Sequence, residues 1–170
     1  MDSMRKGCDI TLRRATLVDF DFFLAVKSGT SDIYWTGHEA PPEREVLREF
    51  FVTQLGSATR TVFICEADGE PVGYLYLDTT SDDSYDIGYS ILDRLHGRGL
   101  GSGMIRALLS LPEIASGSWT VVAWILERNL ASRSIVLANG FAATAELRMV
   151  SVPLEEREEP QRKYVWRHGG

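Results

Sequence analysis

The segment with the clearest chemistry reads Asp93-Arg94-Leu95-His96-Gly97-Arg98-Gly99-Leu100-Gly101-Ser102-Gly103-Met104. A strand-like stretch, Tyr85 to Leu92, runs into it, and a helical pattern runs out of it to Leu109. Glycines let the main chain approach a ligand closely. The start of a helix leaves backbone N–H groups unpaired, and the helix dipole draws anions to them. Strand, glycine loop and helix together make a cradle for phosphate. Two nucleotide patterns fail here. In Gly-x-Gly-x-x-Gly the third glycine falls on Ser102 when counted from Gly97 and on Met104 when counted from Gly99, and no Gly-Lys-Ser/Thr follows. The plainer alternative is a turn that only lets strand and helix pack closely.

A second motif stands downstream. Asn129-Leu130-Ala131-Ser132 opens a helix that closes in Asn139-Gly140-Phe141. Asn129 suits an N-cap and Gly140 a C′ position. With these residues in view, the chain resembles the GNAT superfamily of N-acetyltransferases. Their pyrophosphate loop has the form Gln/Arg-x-x-Gly-x-Gly/Ala. Gly99 and Gly101 fill the small positions, Gly97 and Arg98 the variable ones, and His96 stands where Gln or Arg is usual. The Asn-x-x-Ser start is similar to the branch that acetylates ribosomal-protein N-termini. Ile10 to Arg14 and Ile87-Gly88-Tyr89 also fit, so the likeness covers nearly the whole chain and is firmest from Tyr85 to Phe141.

The resemblance implies an acetyl-CoA-dependent N-acetyltransferase. It implies that the amides of His96, Gly97, Arg98, Gly99, Leu100, Gly101 and Ser102 grip the pyrophosphate. A backbone N–H near Ile91 and Leu92 is expected to hold the oxyanion. Asn129 would bond the pantetheine arm or the acceptor. Many relatives carry a Tyr in the middle of the following helix to protonate the CoA thiolate. That slot is Val136 here, so Ser132 is expected to bond the CoA sulfur, with a first-turn capping role as the alternative. Arg98 and Arg133 could meet CoA phosphates or serve as surface charges.

Amine attack on a thioester needs a neutral amine, oxyanion donors and a stabilised thiolate. Asp86 is chosen as the base, ahead of Glu66 and Glu127 at the ends of neighbouring strands. Strand alternation puts Asp86, Gly88 and Ser90 on one face and Ile87, Tyr89 and Ile91 on the other. Tyr34, Trp35 and His38 sit in a stretch, Gly29 to Pro42, read as a loop that binds the acceptor. The competing reading has Trp35 plugging the edge of the core.

The elements that must position these groups follow from pattern. Ile10 to Arg14 alternates as a strand. Asp19 can cap a helix carrying Phe20, Phe23, Leu24 and Lys27. Glu43 to Leu55 reads as a helix burying Val46, Leu47, Phe50 and Phe51. Thr61 to Glu66 and Val72 to Leu77 form a hairpin about Asp68-Gly69. The helix after the loop runs from about Gly101 to Leu109, and Pro112 ends that region. Trp119 to Leu126 is a continuous apolar strand, central and covered on both faces. Thr144 to Val152 and Arg162 to Arg167 are the last strands, joined by an acidic connector from Glu155 to Pro160. The order β-α-α-β-β-β-α-β-α-β-β predicts an α/β domain with a mixed sheet. The family likeness makes that sheet mostly antiparallel, of about seven strands, with helices flanking it.

Composition bounds the rest. The chain has 170 residues, 44% hydrophobic and 25% charged, which suits one domain over 1–170. The net charge of −6 carries no basic stripe for nucleic acid. No apolar run would span a bilayer, and Met1 to Cys8 lacks a signal-peptide core, so a cytoplasmic protein is expected. Cys8 and Cys65 form no disulfide framework, and Cys65 reads as a small buried hydrophobe. His38, His96 and His168 form no metal-ligand pattern. The C-terminal strands could form a homodimer surface. The rival functions are a GNAT-like acyl-CoA sensor without turnover, favoured by the missing mid-helix Tyr, and an unrelated phosphate-binding protein.

Overall fold

Among the described residues, seven strands share one sheet in the order β1-β2-β3-β4-β5-β7-β6. In this computed structural model residues 9–36 and 38–168 are described. The expectations for Met1 to Cys8 and for Gly37 lie outside the described residues. The strands are β1 (Ile10–Arg14), β2 (Arg60–Ala67), β3 (Glu70–Ser81), β4 (Ser84–Ile91), β5 (Thr120–Leu126), β6 (Ala142–Val152) and β7 (Arg157–Arg167). The helices are α1 (Phe20–Lys27), α2 (Thr30–Trp35), α3 (Arg44–Leu55), α4 (Leu100–Leu109), α5 (Pro112–Ala115) and α6 (Leu130–Ala138). Among the described residues β4 and β5 pair in parallel and the other neighbours are antiparallel. The mixed, mostly antiparallel sheet flanked by helices is the fold class expected from the sequence.

Local chemistry explains much of this. Asp68 and Gly69 both take positive φ, 51° and 80°, which matches the twist of the hairpin joining β2 to β3. Alternation then sends Val62, Ile64 and Tyr74 to one face of the sheet, where α1 and α3 cover them with Phe20, Phe23 and Phe51. Phe63, Leu75, Val121 and Ile125 point to the other face, under Met104, Ile105 and Leu108 of α4 and Val136 of α6. The stacked rings of Phe23 and Phe51 lie 4.7 Å apart and are fully buried. Each such ring contributes about 1.5–3 kcal/mol relative to exposure. Cys65 is fully buried, and that burial pushes its thiol pKa up, as befits a core residue.

Several elements differ from the expectations. Gly29 to Pro42 is not all loop, because Gly29 caps the short helix α2. Its most buried residue is Asp32, whose carboxylate accepts from the Tyr74 hydroxyl at 2.7 Å and faces the Lys27 ammonium at 3.5 Å. A short helix with a polar buried residue shows no apolar period. On α3 only Leu47 and Phe51 are buried; Val46 and Phe50 are 61% and 39% exposed, because the helix seats one narrow i, i+4 row. Asp19 does not cap α1 through its side chain. Its carboxylate accepts from the Thr16 N–H at 2.8 Å and from both Arg13 Nη atoms, so it closes the preceding 3-10 turn instead. Pro112 opens α5 rather than ending a region. The acidic connector shrinks to a turn after Val152, since Glu158 and Glu159 already belong to β7. Glu159 is buried there between Arg128 and Arg157, at 2.7 and 2.6 Å, which offsets the repulsion that suggested a loop. Trp124 leaves β5 uncovered on one side, where a cavity opens.

Candidate active site

The sheet parts at the parallel junction of β4 and β5. β4 and β5 are registered from Ser84↔Thr120 to Ile87↔Ala123, and no further. Yet β4 runs on to Ile91 and β5 to Leu126. Between these unpaired halves lies a seam. Leu92 donates its N–H to the Val72 carbonyl at 3.0 Å. Antiparallel alternation therefore turns the backbone groups of Gly88 and Ser90 toward β3, and those of Tyr89 and Ile91 toward the seam. Of the two residues expected to present an oxyanion donor, Ile91 faces the seam, while the N–H of Leu92 is already taken.

On the α4/α6 side the glycine loop borders the seam. His96 reaches back with Nε2, 3.0 Å from the Ile91 carbonyl oxygen, and so ties the loop to the end of β4. Gly99 then takes φ 77°, a left-handed conformation that turns the chain into α4. A Cβ on Gly101 would lie 2.7 Å from Ile135 Cδ1, so that glycine lets α4 and α6 approach. Among the described residues, no protein acceptor meets the amide N–H groups from Gly97 to Ser102; the first amide of α4 so paired is Gly103, to Gly99 at 3.3 Å. Beside this loop lies a groove of about 440 Å³, which His96, Gly97, Gly99, Leu100, Gly101 and Ser102 line from one side. Asn129, Ala131, Ser132 and Ile135 line it from the other. The donors and the dipole fit a diphosphate.

Not every expected group reaches this groove. Arg98 is exposed and lies outside the lining. Arg133 is spent within the fold, with Nε donating to the Tyr164 hydroxyl at 2.9 Å and Nη1 to the Glu127 carbonyl at 2.7 Å. Asn129 caps α6, its Oδ1 accepting the Ser132 N–H at 3.2 Å, and it lines the cavities on both sides of the seam.

Sequence reasoning missed one pairing. The Tyr89 hydroxyl lies 2.6 Å from Ser132 Oγ. Both residues line the cavities on both sides of the seam. Burial pushes the Tyr89 phenol up to about 12, so it stays protonated at neutral pH. The mid-helix slot at Val136 points elsewhere, fully buried in the core. The signal was available in part: Tyr89 shares a strand face with Ile87 and Ile91, the face on which the Asn-x-x-Ser helix packs.

On the α1/α3 side the seam opens into a cavity of about 510 Å³. Tyr76, Asp86, Trp124 and Arg148 project into it from the sheet, and Trp35 and Thr36 from the end of α2. Asp86 is half-buried, and burial raises its carboxyl above the usual range, partly offset by Arg148. The other acids considered as base are occupied. Glu66 pairs with Arg13 at 2.6 Å, and Glu127 with Arg162 at 2.6 Å, which holds its carboxyl below the usual range. Trp35 lies at the meeting of the two cavities. Tyr34 and His38 line neither. Tyr34 bonds Glu155 at 3.1 Å and receives a bond from Arg128, whose guanidinium lies over the rings of Tyr34 and Trp35. His38 is exposed, its N–H bonded to the Ile33 carbonyl at 3.0 Å. Of this trio Trp35 alone lines the cavities.

Comparison with known proteins follows the same lines. Among the described residues no helix is long and apolar enough to cross a membrane. Comparison with curated proteins finds no match. Solved structures of similar shape include a spermidine N-acetyltransferase from Vibrio cholerae in complex with CoA and spermine, with TM-score 0.80, 15% identity, and coverage of 94% of this chain and 96% of that one. An aminoglycoside acetyltransferase in complex with coenzyme A gives TM-score 0.73, 22% identity, and coverage of 93% and 94%. A ribosomal-protein-alanine N-acetyltransferase from Brucella melitensis gives TM-score 0.72, 17% identity, and coverage of 92% and 98%. At such identities these likenesses speak for the fold, and their differing acceptors leave the substrate open. The family model "Acetyltransferase (GNAT) domain" matches residues 9–142, well over half of the chain. The protein is therefore an acyltransferase belonging to the GNAT acetyltransferase family.

Proposed function

We propose that the protein moves the acetyl group of acetyl-CoA onto a primary amine by direct attack, with no acyl-enzyme intermediate. One observation carries this reading: a sheet parted between β4 and β5, with unpaired loop amides on one face and a half-buried carboxylate, Asp86, in a cavity on the other. The amides of Gly97 to Ser102 hold the diphosphate, and Asn129 and Ser132 line the path of the pantetheine arm. The thioester then lies in the seam. The Ile91 N–H turns toward its carbonyl oxygen and stabilises the charge that develops there; one such donor is worth about 2.7–4 kcal/mol in other acyl transfers. The amine enters from the opposite face, and its proton passes to Asp86, directly or through water. The C–S bond breaks as the C–N bond completes, and Ser132, backed by the Tyr89 hydroxyl, returns a proton to the departing thiolate. This hydroxyl pair supplies what the missing mid-helix Tyr removes, which favours turnover over the sensor reading.

Thiol release from acetyl-CoA over a panel of primary amines tests the proposal. Turnover that is lost in Gly99→Val supports it. Tight CoA binding with no thiol release from any amine would return the sensor reading. A cytoplasmic location stays part of the proposal on composition. Pairing of two copies through edge strand β6 does so too, supported by Leu147 and Met149, 48% and 57% exposed.

A further inference from the structure

Charges in the acceptor cavity cancel in pairs until two are left. Arg60 is held by Asp78 through Nε and Nη2 at 2.6 and 2.7 Å, and by Gln54 at 3.0 Å. Lys27 is buried against Asp32. Asp86 has no hydrogen-bond or ion-pair partner among the described residues. Arg148 donates only Nε, to Gln161 Oε1 at 2.7 Å, and its guanidinium lies 4.4 Å from the Trp124 ring centre. Its two Nη groups meet no acceptor among the described residues. The two residues line the same cavity, close enough to influence each other, yet form no ion pair. Strand alternation explains their meeting: Asp86 on β4, Trp124 on β5, Gln161 on β7 and Arg148 on β6 all project from the α1/α3 face.

A site that keeps one unpaired carboxylate and one oriented guanidinium either side of an aromatic ring matches a ligand bearing both charges. We infer that the acceptor is an amino acid or a close relative: an amine beside Asp86 with a carboxylate, or an anion of the same shape, on the Nη edge of Arg148. This rests on the acetyl-transfer reading above and adds the substrate class to it. A guanidinium with both Nη groups free suits a planar carboxylate. A polyamine fits poorly, because among the described lining residues Asp86 is the one carboxylate left without a partner, and the other free charge, Arg148, is a cation. A peptide N-terminus offers no carboxylate next to its amine and would leave Arg148 unmatched.

The test uses acetyl-CoA and a panel of L-amino acids with aliphatic, aromatic and acidic side chains. Each is set against its carboxamide and its decarboxylated amine. At least one free acid should show kcat/KM about ten- to a hundredfold above its carboxamide, the size of one charge-assisted hydrogen bond. Arg148→Gln should shrink that ratio toward one by raising KM for the acid, and Arg148→Lys should restore part of it. Arg148 is exposed, so the fold should tolerate both changes. Carboxamides or decarboxylated amines acetylated as fast as the acids would overturn the inference, as would an unaltered ratio in Arg148→Gln. So would a panel in which no acid is acetylated. The two levels separate cleanly. If acetyl-CoA fails to raise the melting temperature, the acetyl-transfer reading falls; if it raises it and only amines without a carboxylate react, only the inference falls.

Discussion

Replacing Tyr89 by Phe removes one oxygen and almost nothing else. The ring keeps its packing against the α4/α6 face. What is lost is the 2.6 Å contact with Ser132 Oγ. As a stability term, one neutral hydrogen bond is worth about 1 ± 0.5 kcal/mol net. A domain with a typical 5–15 kcal/mol of stability stays folded after that loss. The effect on chemistry should be larger. If the hydroxyl pair feeds a proton to the departing thiolate, losing half of it should lower kcat by roughly 10²-fold, the low end for general acid catalysis. KM for acetyl-CoA should change little, because the diphosphate is held by the loop. The assay is thiol release at saturating amine, run for Tyr89→Phe, Ser132→Ala and the double variant. Residues acting as one unit give a double variant hardly worse than the worse single one. A Tyr89→Phe enzyme with near wild-type kcat, or losses that multiply in the double variant, would refute the relay. Titration offers a second check. The phenol rises from 10.0 to about 12 on folding, so the folded state holds its proton more tightly than the unfolded chain does. That stabilisation is whole below pH 10 and is lost as pH climbs toward 12. Tyr89→Phe should lessen alkaline unfolding in that window, with Tyr74, Tyr76, Tyr85 and Cys65 contributing as well.

Four further substitutions have expected outcomes. Gly99→Val forces a β-branched residue to φ 77°, which should weaken acetyl-CoA binding by calorimetry at least tenfold while costing folding about 1–3 kcal/mol. Gly101→Leu should act likewise by pushing α4 off Ile135. Asp86→Asn should lower kcat/KM for the amine and abolish the acid limb of its pH profile; because burial raises the Asp86 carboxyl, that limb in the parent should lie above the ordinary carboxylate range, with activity falling as pH falls through it. Asp19→Ala should cost about 1–2 kcal/mol in urea unfolding, since it frees the Thr16 N–H and one side of Arg13. The parent carboxyl is held low by Arg13, so its contribution is present above the unfolded value of 3.8 and is lost as pH falls through the lower folded one.

Some of the architecture could be read residue by residue. Asp68-Gly69 announced its hairpin because left-handed backbone is rare and costly for other pairs. Asn129 and Gly140 marked both ends of α6 for similar local reasons. The helix α2 escaped notice because its buried side is Asp32, stabilised only by Tyr74 and Lys27 from elsewhere in the chain. The length of β7 escaped for the same kind of reason: charges that look solvated in sequence are neutralised by partners such as Arg128.

The same division runs through the site. Whatever depends on backbone conformation and near neighbours was determined by the chain alone, including the glycine turn into α4 and the capped start of α6. Local stereochemistry acts over a few residues, and residue types report it directly. Which side chains face one another across the sheet was decided only in three dimensions. Register and the parting of β4 from β5 brought Tyr89 to Ser132, set Arg148 opposite Asp86, and drew Arg133 away to Tyr164. Those meetings arise from packing between segments far apart in the chain, and no short-range pattern encodes them.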